Sequence, residues 1–184
     1  MRVISGSARG LKLNAPKGLS TRPTTDRIKE SLFNIIAFDL YESRFLDLFS
    51  GSGGIGIEAL SSGAARAVFV DDAISSIDII NSNLERARLS DKALVLHKKA
   101  EAAISELKNR GESFDIIFMD PPYNKGFVNS TLYSILDSGI LSPDGFIIAE
   151  QSIKDDIPHI EGLEVFRIKD YKITKMTFLR YAER

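Results

Sequence analysis

The chain of 184 residues contains no cysteine, no tryptophan and only two histidines. Without cysteine no disulfide can form, so the chain has no need of an oxidising compartment. His97 and His159 lie far apart in the sequence and form no zinc-type ligand spacing. We therefore predict that the protein holds no metal.

Long apolar runs are also missing. No segment approaches the roughly 20 apolar residues of a membrane-spanning helix, and the N-terminus lacks the apolar core and cleavage site of a signal peptide. A hydrophobic share of 43% and a charged share of 27% are ordinary for a soluble globule. These features predict a cytoplasmic protein with no membrane partner, and its length suits one domain with a substantial core.

The net charge of -1 conceals an uneven distribution along the chain. Residues 1–30 hold seven basic and two acidic side chains, which leaves the remainder with a net charge of -6. A basic arm on an acidic body suggests a polyanion partner at one edge, although a solvated, poorly ordered tail would look the same. Because glycines and prolines interrupt the arm, we divide the chain into a basic extension, 1–22, and a main domain, 23–184.

From residue 44 onwards, predicted strands alternate with predicted helices through short links. Such alternation predicts a mainly parallel sheet with helices on both faces and ligands at the carboxyl ends of the strands. Only a few residues separate the last two strands, so these can form only an antiparallel hairpin. The prediction is a seven-stranded α/β fold that resembles the Rossmann-like class I methyltransferases. Its strands are 44–49, 67–71, 93–97, 114–119, 146–150, 163–168 and 174–181; its helices are 55–62, 74–89, 100–109, 127–140 and a first helix from Pro23 with an apolar face reaching Leu40.

A glycine-rich segment follows the first predicted strand. Gly51, Gly53 and Gly56 match the spacing G-x-G-x-x-G, which brings backbone close to a ligand at a helix N-terminus. Asp47 lies four residues before the first glycine, where a carboxylate suits an ammonium better than a phosphate. Asp71 ends the second strand 20 residues after Gly51, where an acid can bind both hydroxyls of a ribose.

Together these features describe a nucleoside with a positively charged amino-acid tail, which fits S-adenosylmethionine. A dinucleotide-dependent enzyme is the alternative, since the glycine spacing alone also serves such cofactors or a simple tight turn. The predicted cofactor-binding residues are Asp47, Phe49, Ser50, Gly51, Ser52, Gly53, Gly56, Asp71, Asp72 and Asp120.

The segment Asp120-Pro121-Pro122-Tyr123 follows the fourth strand and should emerge at the same rim. An aromatic exocyclic amine is a poor nucleophile, because its lone pair is delocalised into the ring. Two acceptors on its hydrogens would favour the nucleophilic form, and the Asp120 carboxylate and the Pro121 carbonyl can supply them. Pro122 helps to fix the backbone and Tyr123 offers a stacking face. We predict that all four residues are catalytic; a rigid loop without chemistry is the alternative.

Several segments together resemble one known family, the bacterial 16S ribosomal RNA guanine-N2 methyltransferases of the RsmD type, over nearly the whole chain. The D-P-P-Y segment alone is shared with DNA adenine methyltransferases, whereas the basic arm with R-P-T-x-D-R is far more specific. The matching segments read RVISGSARGLKL, TRPTTDRIKESLFNII, DLFSGSGGIGIEALSSGA and FDIIFMDPPY.

The resemblance implies S-adenosylmethionine-dependent methylation of a guanine N2 in 16S ribosomal RNA, at position 966 in the family. It also implies that ribosomal RNA or the assembling small subunit is the partner, and we expect a monomer. The basic arm would line the RNA cleft, where it could neutralise several phosphates. The predicted RNA-binding residues are Arg2, Arg9, Lys12, Arg22, Arg27 and Lys125.

Two positions depart from the family pattern. After the second strand the family shows Glu-x-Asp, where this chain has Asp71-Asp72-Ala73. After the third strand it places an acid near the cofactor's adenine, where this chain has Lys99. Either cofactor affinity is weaker or Glu101 substitutes for the missing acid. Adenine-N6 methylation of DNA, and a non-catalytic RNA-binding assembly protein that keeps the cofactor fold, are the alternative functions.

Overall fold

The computed structural model describes residues 1–15, 26–122 and 126–183. The predicted helix start at Pro23 and the predicted site residues Arg22, Tyr123 and Lys125 lie outside these ranges. Within the described ranges no helix is long and apolar enough to cross a membrane. The elements are α1 (Asp26–Ile35), β1 (Arg44–Leu48), α2 (Gly54–Ser61), β2 (Arg66–Asp71), α3 (Ile74–Ala87), a 3₁₀ turn (Ser90–Lys92), β3 (Ala93–His97), α4 (Ala100–Asn109), β4 (Phe114–Met119), α5 (Phe127–Ser138), β5 (Leu141–Ser152), β6 (Leu163–Asp170) and β7 (Thr174–Tyr181).

The seven strands form one sheet in the order β3-β2-β1-β4-β5-β7-β6. Strands β1 to β5 pair in parallel, whereas β7 is antiparallel to both β5 and β6. The predicted mainly parallel sheet with a C-terminal antiparallel hairpin is confirmed. Strand order reverses between β1 and β4, so the loops after these strands separate at a switch point. Open α/β sheets bind their ligands at such points.

Helices cover both faces of the sheet, and each face buries its own hydrophobic cluster. Successive strand residues point to opposite faces, so Phe45 joins one cluster and its neighbour Leu46 joins the other. Helices α1, α2 and α3 pack on the first face, and α4 and α5 pack on the second. Burial on both faces explains why the inner strands read as continuous apolar runs rather than as an alternation.

Several element ends differ from those predicted. Helix α5 ends two residues earlier than expected, because Gly139 adopts a left-handed conformation with φ 70° and terminates it. Helix α3 ends in the same way at Arg88, with φ 58°. Helix α1 ends at Ile35, so Leu40 is buried from the following loop rather than from a helical face. Strand β5 is longer than predicted at both ends.

The described part of the N-terminal arm, residues 1–15, packs against the main body. Val3 and Leu13 are buried in the cluster on the first face of the sheet, and Arg2 pairs with Lys12 in an isolated antiparallel bridge. The N–H of Ala8 donates to Oγ of Ser61 in α2 at 2.9 Å. The division into a basic extension, 1–22, and a main domain, 23–184, stays a prediction.

A fully buried ion pair holds the arm in place. Nζ of Lys29 lies 2.8 Å from Oε2 of Glu58, and neither side chain is exposed. The Glu58 carboxylate also accepts the backbone N–H groups of Ile4 and Ser5, and Lys29 donates to the carbonyl of Arg2 at 2.6 Å. Both charges are therefore hydrogen-bonded as well as paired, as a buried ion pair requires. The pair joins α1, α2 and the arm into one unit.

Gly56 lets α2 lie close to β2. A Cβ built at this position would meet Cε1 of Phe69 at 2.3 Å and Cζ at 2.8 Å. Both residues are buried, so the ring has little room to move away. The third glycine of the motif therefore serves the packing of helix on strand, which is one of the roles such glycines have in nucleotide-binding loops.

Replacing Gly56 by alanine is expected to lower the free energy of unfolding by about 1–3 kcal/mol, because the new methyl group overpacks this contact. Phe69→Leu removes the clashing ring atoms and should recover part of that loss in the double variant. Urea denaturation of both single variants and the double variant measures the coupling. If the effects of the two single variants add to within about 0.5 kcal/mol, the contact between Gly56 and Phe69 does not limit how closely α2 packs on β2.

Candidate active site

The glycine loop and the Asp120-Pro121-Pro122 segment leave the sheet side by side. Strand β1 pairs in parallel with β4, and Leu48 lies opposite Met119 at the carboxyl ends of the two strands. The glycine loop follows β1 directly, and the proline segment follows β4. The structure thus brings these two predicted parts of the site to the same rim.

Ser50 anchors the start of the glycine loop. Its Oγ donates to the carbonyl of Asp47 at 2.6 Å and accepts the N–H of Val70 at 2.9 Å, so it ties the end of β1 to β2. Gly51 then takes a left-handed conformation with φ 56°. No atom of the described part of the chain lies within 4 Å of the point where its Cβ would be. Open space therefore adjoins the backbone of the loop.

Asp71 connects the glycine loop to the end of β2. Its Oδ2 accepts the N–H of Gly51 at 2.8 Å, and its Oδ1 accepts the N–H of Ala73 at 3.0 Å. A carboxylate has about four acceptor positions, so Asp71 keeps capacity for further donors such as ribose hydroxyls. Its neighbour Asp72 is exposed, with its carbonyl 3.0 Å from Nε2 of His97.

Asp47 is almost completely buried beneath the loop, with 1% of its surface exposed. Its Oδ2 accepts the N–H of Gly56, at the start of α2, at 3.0 Å. Burial raises the pKa of Asp47 to about 7; the Gly56 N–H opposes this rise and the Asp71 charge adds to it. A positively charged ligand at this position would favour the ionised carboxylate.

Asp120 is the second acid whose ionisation the fold opposes. Burial raises its pKa well above the ordinary value for aspartate, and the charges of Glu150 and Asp47 raise it further. Glu150 is itself 3% exposed. Carboxyl groups from three neighbouring strands, β1, β4 and β5, thus act on one another at the rim. Two acids with raised pKa values at one rim, Asp47 and Asp120, are typical of a functional site, and they favour a bound cation.

Pro121 and Pro122 border a groove beside Asp120. Pro121 is buried and Pro122 is exposed, and the groove has a volume of about 360 Å³. The opposite wall comes from the start of α5, where Phe127 packs against Phe49 with ring centroids 6.3 Å apart. The groove therefore opens beside Pro121, the residue that follows Asp120 in the chain. Tyr123, the predicted stacking residue, lies outside the described residues.

Three of the predicted RNA-binding arginines share a second groove. Arg2, Arg9 and Arg27 line it together with Asp26 and Glu30, and its volume is about 390 Å³. The arm and α1 each contribute to this surface. Lys12 lies across the antiparallel bridge from Arg2.

Sequence reasoning assigned no part to Asn83, which is fully buried in α3. Its amide donates to the carbonyls of Asn14 and Ser52, and its Oδ1 accepts the N–H of Asn14 at 2.8 Å. The residue therefore links the N-terminal arm to the glycine loop. Its position three residues after the buried Ile80, on the apolar face of the helix, was the one available signal.

Sequence reasoning likewise assigned no role to Glu150, to Gln151 or to Lys29 and Glu58 of the buried ion pair. Lys99, which stands where the family has an acid, precedes α4 and is exposed, and Glu101, the possible substitute, is exposed in the first turn of that helix. Residues 1–15, 26–122 and 126–183 contain no group of three His, Cys, Asp or Glu side chains that could hold a metal ion.

Comparison with known proteins adds to this geometry. A family model described as "Conserved hypothetical protein 95" matches residues 1–180. The "Putative rRNA methyltransferase YlbH" of Bacillus subtilis (strain 168) is 43% identical over 175 residues, which cover 95% of each chain. The "Ribosomal RNA small subunit methyltransferase D" of Escherichia coli (strain K12) is 35% identical over 161 residues, 87% of this chain and 79% of that relative. The solved structure of "Putative methyltransferase yhhF from Escherichia coli" matches with a TM-score of 0.87 at 31% identity, over 98% and 97% of the two chains.

Asp47→Asn is expected to make the unliganded protein more stable at pH 8, by about 1–4 kcal/mol, because the variant removes a carboxylate that burial disfavours. The folded protein holds its Asp47 proton up to a pH of about 7, whereas the unfolded chain loses it near the ordinary value of 3.8. The unchanged protein therefore loses stability relative to the variant as the pH rises from about 4 to 7.

Urea denaturation of both proteins at pH 4.5 and pH 8 measures the two differences. A smaller difference, of about 1 kcal/mol, is expected at the lower pH, where Asp47 is protonated in the folded state but already mostly ionised in the unfolded chain, whose pKa is 3.8. A variant that is no more stable at pH 8 would show that the Asp47 carboxylate already has a compensating partner within the protein.

Proposed function

The chain belongs to the family described as "Conserved hypothetical protein 95", and we propose that it methylates the exocyclic N2 amine of a guanine in small-subunit ribosomal RNA. The general activity is that of an S-adenosylmethionine-dependent ribosomal RNA methyltransferase, in agreement with the names of the relatives. The choice of guanine N2, at position 966 in the family, is the finer part of the proposal. The observation that supports methyl transfer to an exocyclic amine is that the glycine loop lies beside Asp120 and Pro121 at one rim of the sheet.

The residues around the glycine loop fit S-adenosylmethionine. Asp47 would hold the ammonium group, because a positive charge offsets the cost of ionising a buried carboxylate. Asp71 keeps acceptor capacity for the ribose hydroxyls, and the backbone at Gly51 adjoins the open space that a close approach requires. When bound, the cofactor supplies a methyl group on a cationic sulfur.

Asp120 and Pro121 prepare the amine of the target base. The Asp120 carboxylate and the Pro121 carbonyl each accept one amine hydrogen, which favours the pyramidal, nucleophilic form and stabilises developing positive charge. Pro121 and Pro122 restrict the backbone, so the two acceptors need little rearrangement. Asp120 or water takes the amine proton afterwards. In this proposal Tyr123 stacks on the base.

Because burial and neighbouring charges raise the pKa of Asp120, the acid needs a nearby cation to act as a carboxylate at neutral pH. The cofactor carries such charges. We therefore infer an order of events in which cofactor binding precedes activation of the base. The acid also remains basic enough to accept the proton that the amine loses.

The basic groove between the N-terminal arm and α1 would bind RNA phosphates. Arg2, Arg9 and Arg27 line it, and the Lys29–Glu58 pair fixes the backbone of the arm next to Arg2. Phosphate contacts of this kind position an RNA without reading its sequence. Lys12, Arg22 and Lys125 complete the proposed RNA-binding set. The names of the relatives favour RNA over DNA, and the perturbed acids at the rim favour an enzyme over an assembly protein.

Purified protein, labelled S-adenosylmethionine and small-subunit RNA or assembled particles are expected to yield N2-methylguanosine in a nucleoside digest. Asp120→Ala should bind the cofactor but lose transfer by about 10²–10³-fold, because one of the two acceptors on the amine is gone. Asp144→Ala, which removes an exposed acid near the start of β5, serves as the matched control and should retain activity.

Digests without N2-methylguanosine from either form of RNA would contradict the proposal. Methylated adenine in treated duplex DNA would replace it with the DNA alternative. Undiminished turnover by Asp120→Ala would remove that residue from the mechanism, and calorimetry with the variant separates lost catalysis from lost cofactor binding.

A further inference from the structure

The groove beside Pro121 and Pro122 is bordered by the end of β5. Strand β4 pairs in parallel with β5, with Met119 opposite Ala149. The next residues along the two chain segments are Asp120 and Pro121 after β4 and Glu150 and Gln151 in β5, and Pro121 lines the same groove as Gln151. Gln151 lines the groove and is only 2% exposed. It therefore lies next to the two acceptors assigned to the amine.

One hydrogen bond determines which way the Gln151 amide points. Nε2 of Gln151 donates to the carbonyl of Asp155. A carbonyl oxygen can only accept, so the NH₂ end of the amide has to face it and the oxygen end faces elsewhere. That oxygen, Oε1, is buried and has no hydrogen-bond partner within the described ranges of the chain. Buried acceptors without a partner are rare in native proteins, and a ligand that donates to Oε1 would explain this one.

The bases differ in what lies next to their exocyclic amines. In guanine, N2 is flanked on the Watson–Crick edge by N1, which carries a hydrogen and donates. In adenine the corresponding neighbour of N6 is an unprotonated ring nitrogen, and the same is true beside N4 of cytosine. An acceptor next to the site that holds the amine therefore pairs with guanine and repels the other two bases. Enzymes that act on extruded bases read this edge by hydrogen bonds.

We propose that this groove binds the target guanine and that Oε1 of Gln151 selects it by accepting the hydrogen on N1. The inference rests on the proposed function and adds to it the residue that sets base identity. The terminal torsion of glutamine is soft, so the amide can tilt its oxygen towards an inserted base while Nε2 keeps its bond to the carbonyl of Asp155. A volume of about 360 Å³ lies within the range of small-ligand sites.

The test compares two RNA substrates that differ at the mapped target nucleotide, one with guanine and one with 2-aminopurine. The analogue keeps the amine that receives the methyl group, but its N1 carries no hydrogen. The unchanged protein is expected to prefer guanine by roughly 5- to 150-fold in kcat/KM, the discrimination that one good base contact provides. Equal rates on the two substrates would overturn the inference without the use of any variant.

Gln151→Met removes the acceptor while keeping a side chain of similar size. It should bring the two rates together by lowering the rate on guanine. Thr131→Val is the matched control, because Thr131 in α5 also has a buried oxygen without a partner among the described residues but does not line the groove. This control should keep the full preference for guanine. Thermal unfolding of both variants checks that each is folded.

A folded Gln151→Met that still prefers guanine as strongly as the unchanged protein would also overturn the inference. In both of these contrary outcomes the unchanged protein still methylates RNA guanine, so the proposed function stands. If the unchanged protein transfers no methyl group to any RNA guanine, the proposed function fails and this inference fails with it.

Discussion

Two acids whose ionisation the fold opposes, Asp47 and Asp120, are the feature on which the rest of the site depends. Both sit at the carboxyl ends of adjacent parallel strands, where burial raises the pKa of each and Glu150 adds a further negative charge beside Asp120. An arrangement of this kind lowers the free energy of unfolding of the unliganded protein at neutral pH. It becomes favourable once a cation is bound, and S-adenosylmethionine brings positive charge to this rim. The two acids therefore lower the stability of the free protein and favour binding of the positively charged cofactor.

Helix α2 connects the cofactor side of the molecule to the RNA side. At its first turn, Gly56 donates to Asp47 and allows the close packing against Phe69. Two residues later, Glu58 forms the buried ion pair with Lys29 and accepts two backbone N–H groups of the N-terminal arm. Asn83 adds a second link between the arm and the glycine loop. The proposed phosphate-binding arginines are therefore held in a defined relation to the reacting groups.

Much of the fold could be predicted, because apolar periodicity and short links leave few arrangements for an alternating α/β chain. The end of α5 at Gly139 had a visible signal, whereas the end of α3 at Arg88 did not, since a non-glycine residue seldom adopts a left-handed conformation. The glycine loop and Asp120 were predictable because their chemistry needs fixed residue types at fixed spacing. The buried polar partners were not: Glu58 and Asn83 bond to backbone groups more than fifty positions away, and no local pattern encodes such contacts.

Proton release on cofactor binding tests most directly whether these acids hold protons that a bound cation displaces. Calorimetric titration with S-adenosylmethionine at pH 7, in two buffers of different ionisation enthalpy, counts the protons exchanged. We expect a net release on the order of one proton, because the bound positive charge lowers the pKa of both acids. S-adenosylhomocysteine, which lacks the sulfonium charge, should release fewer. Tight binding of S-adenosylmethionine with no proton exchange at this pH would contradict the central role given to Asp47 and Asp120.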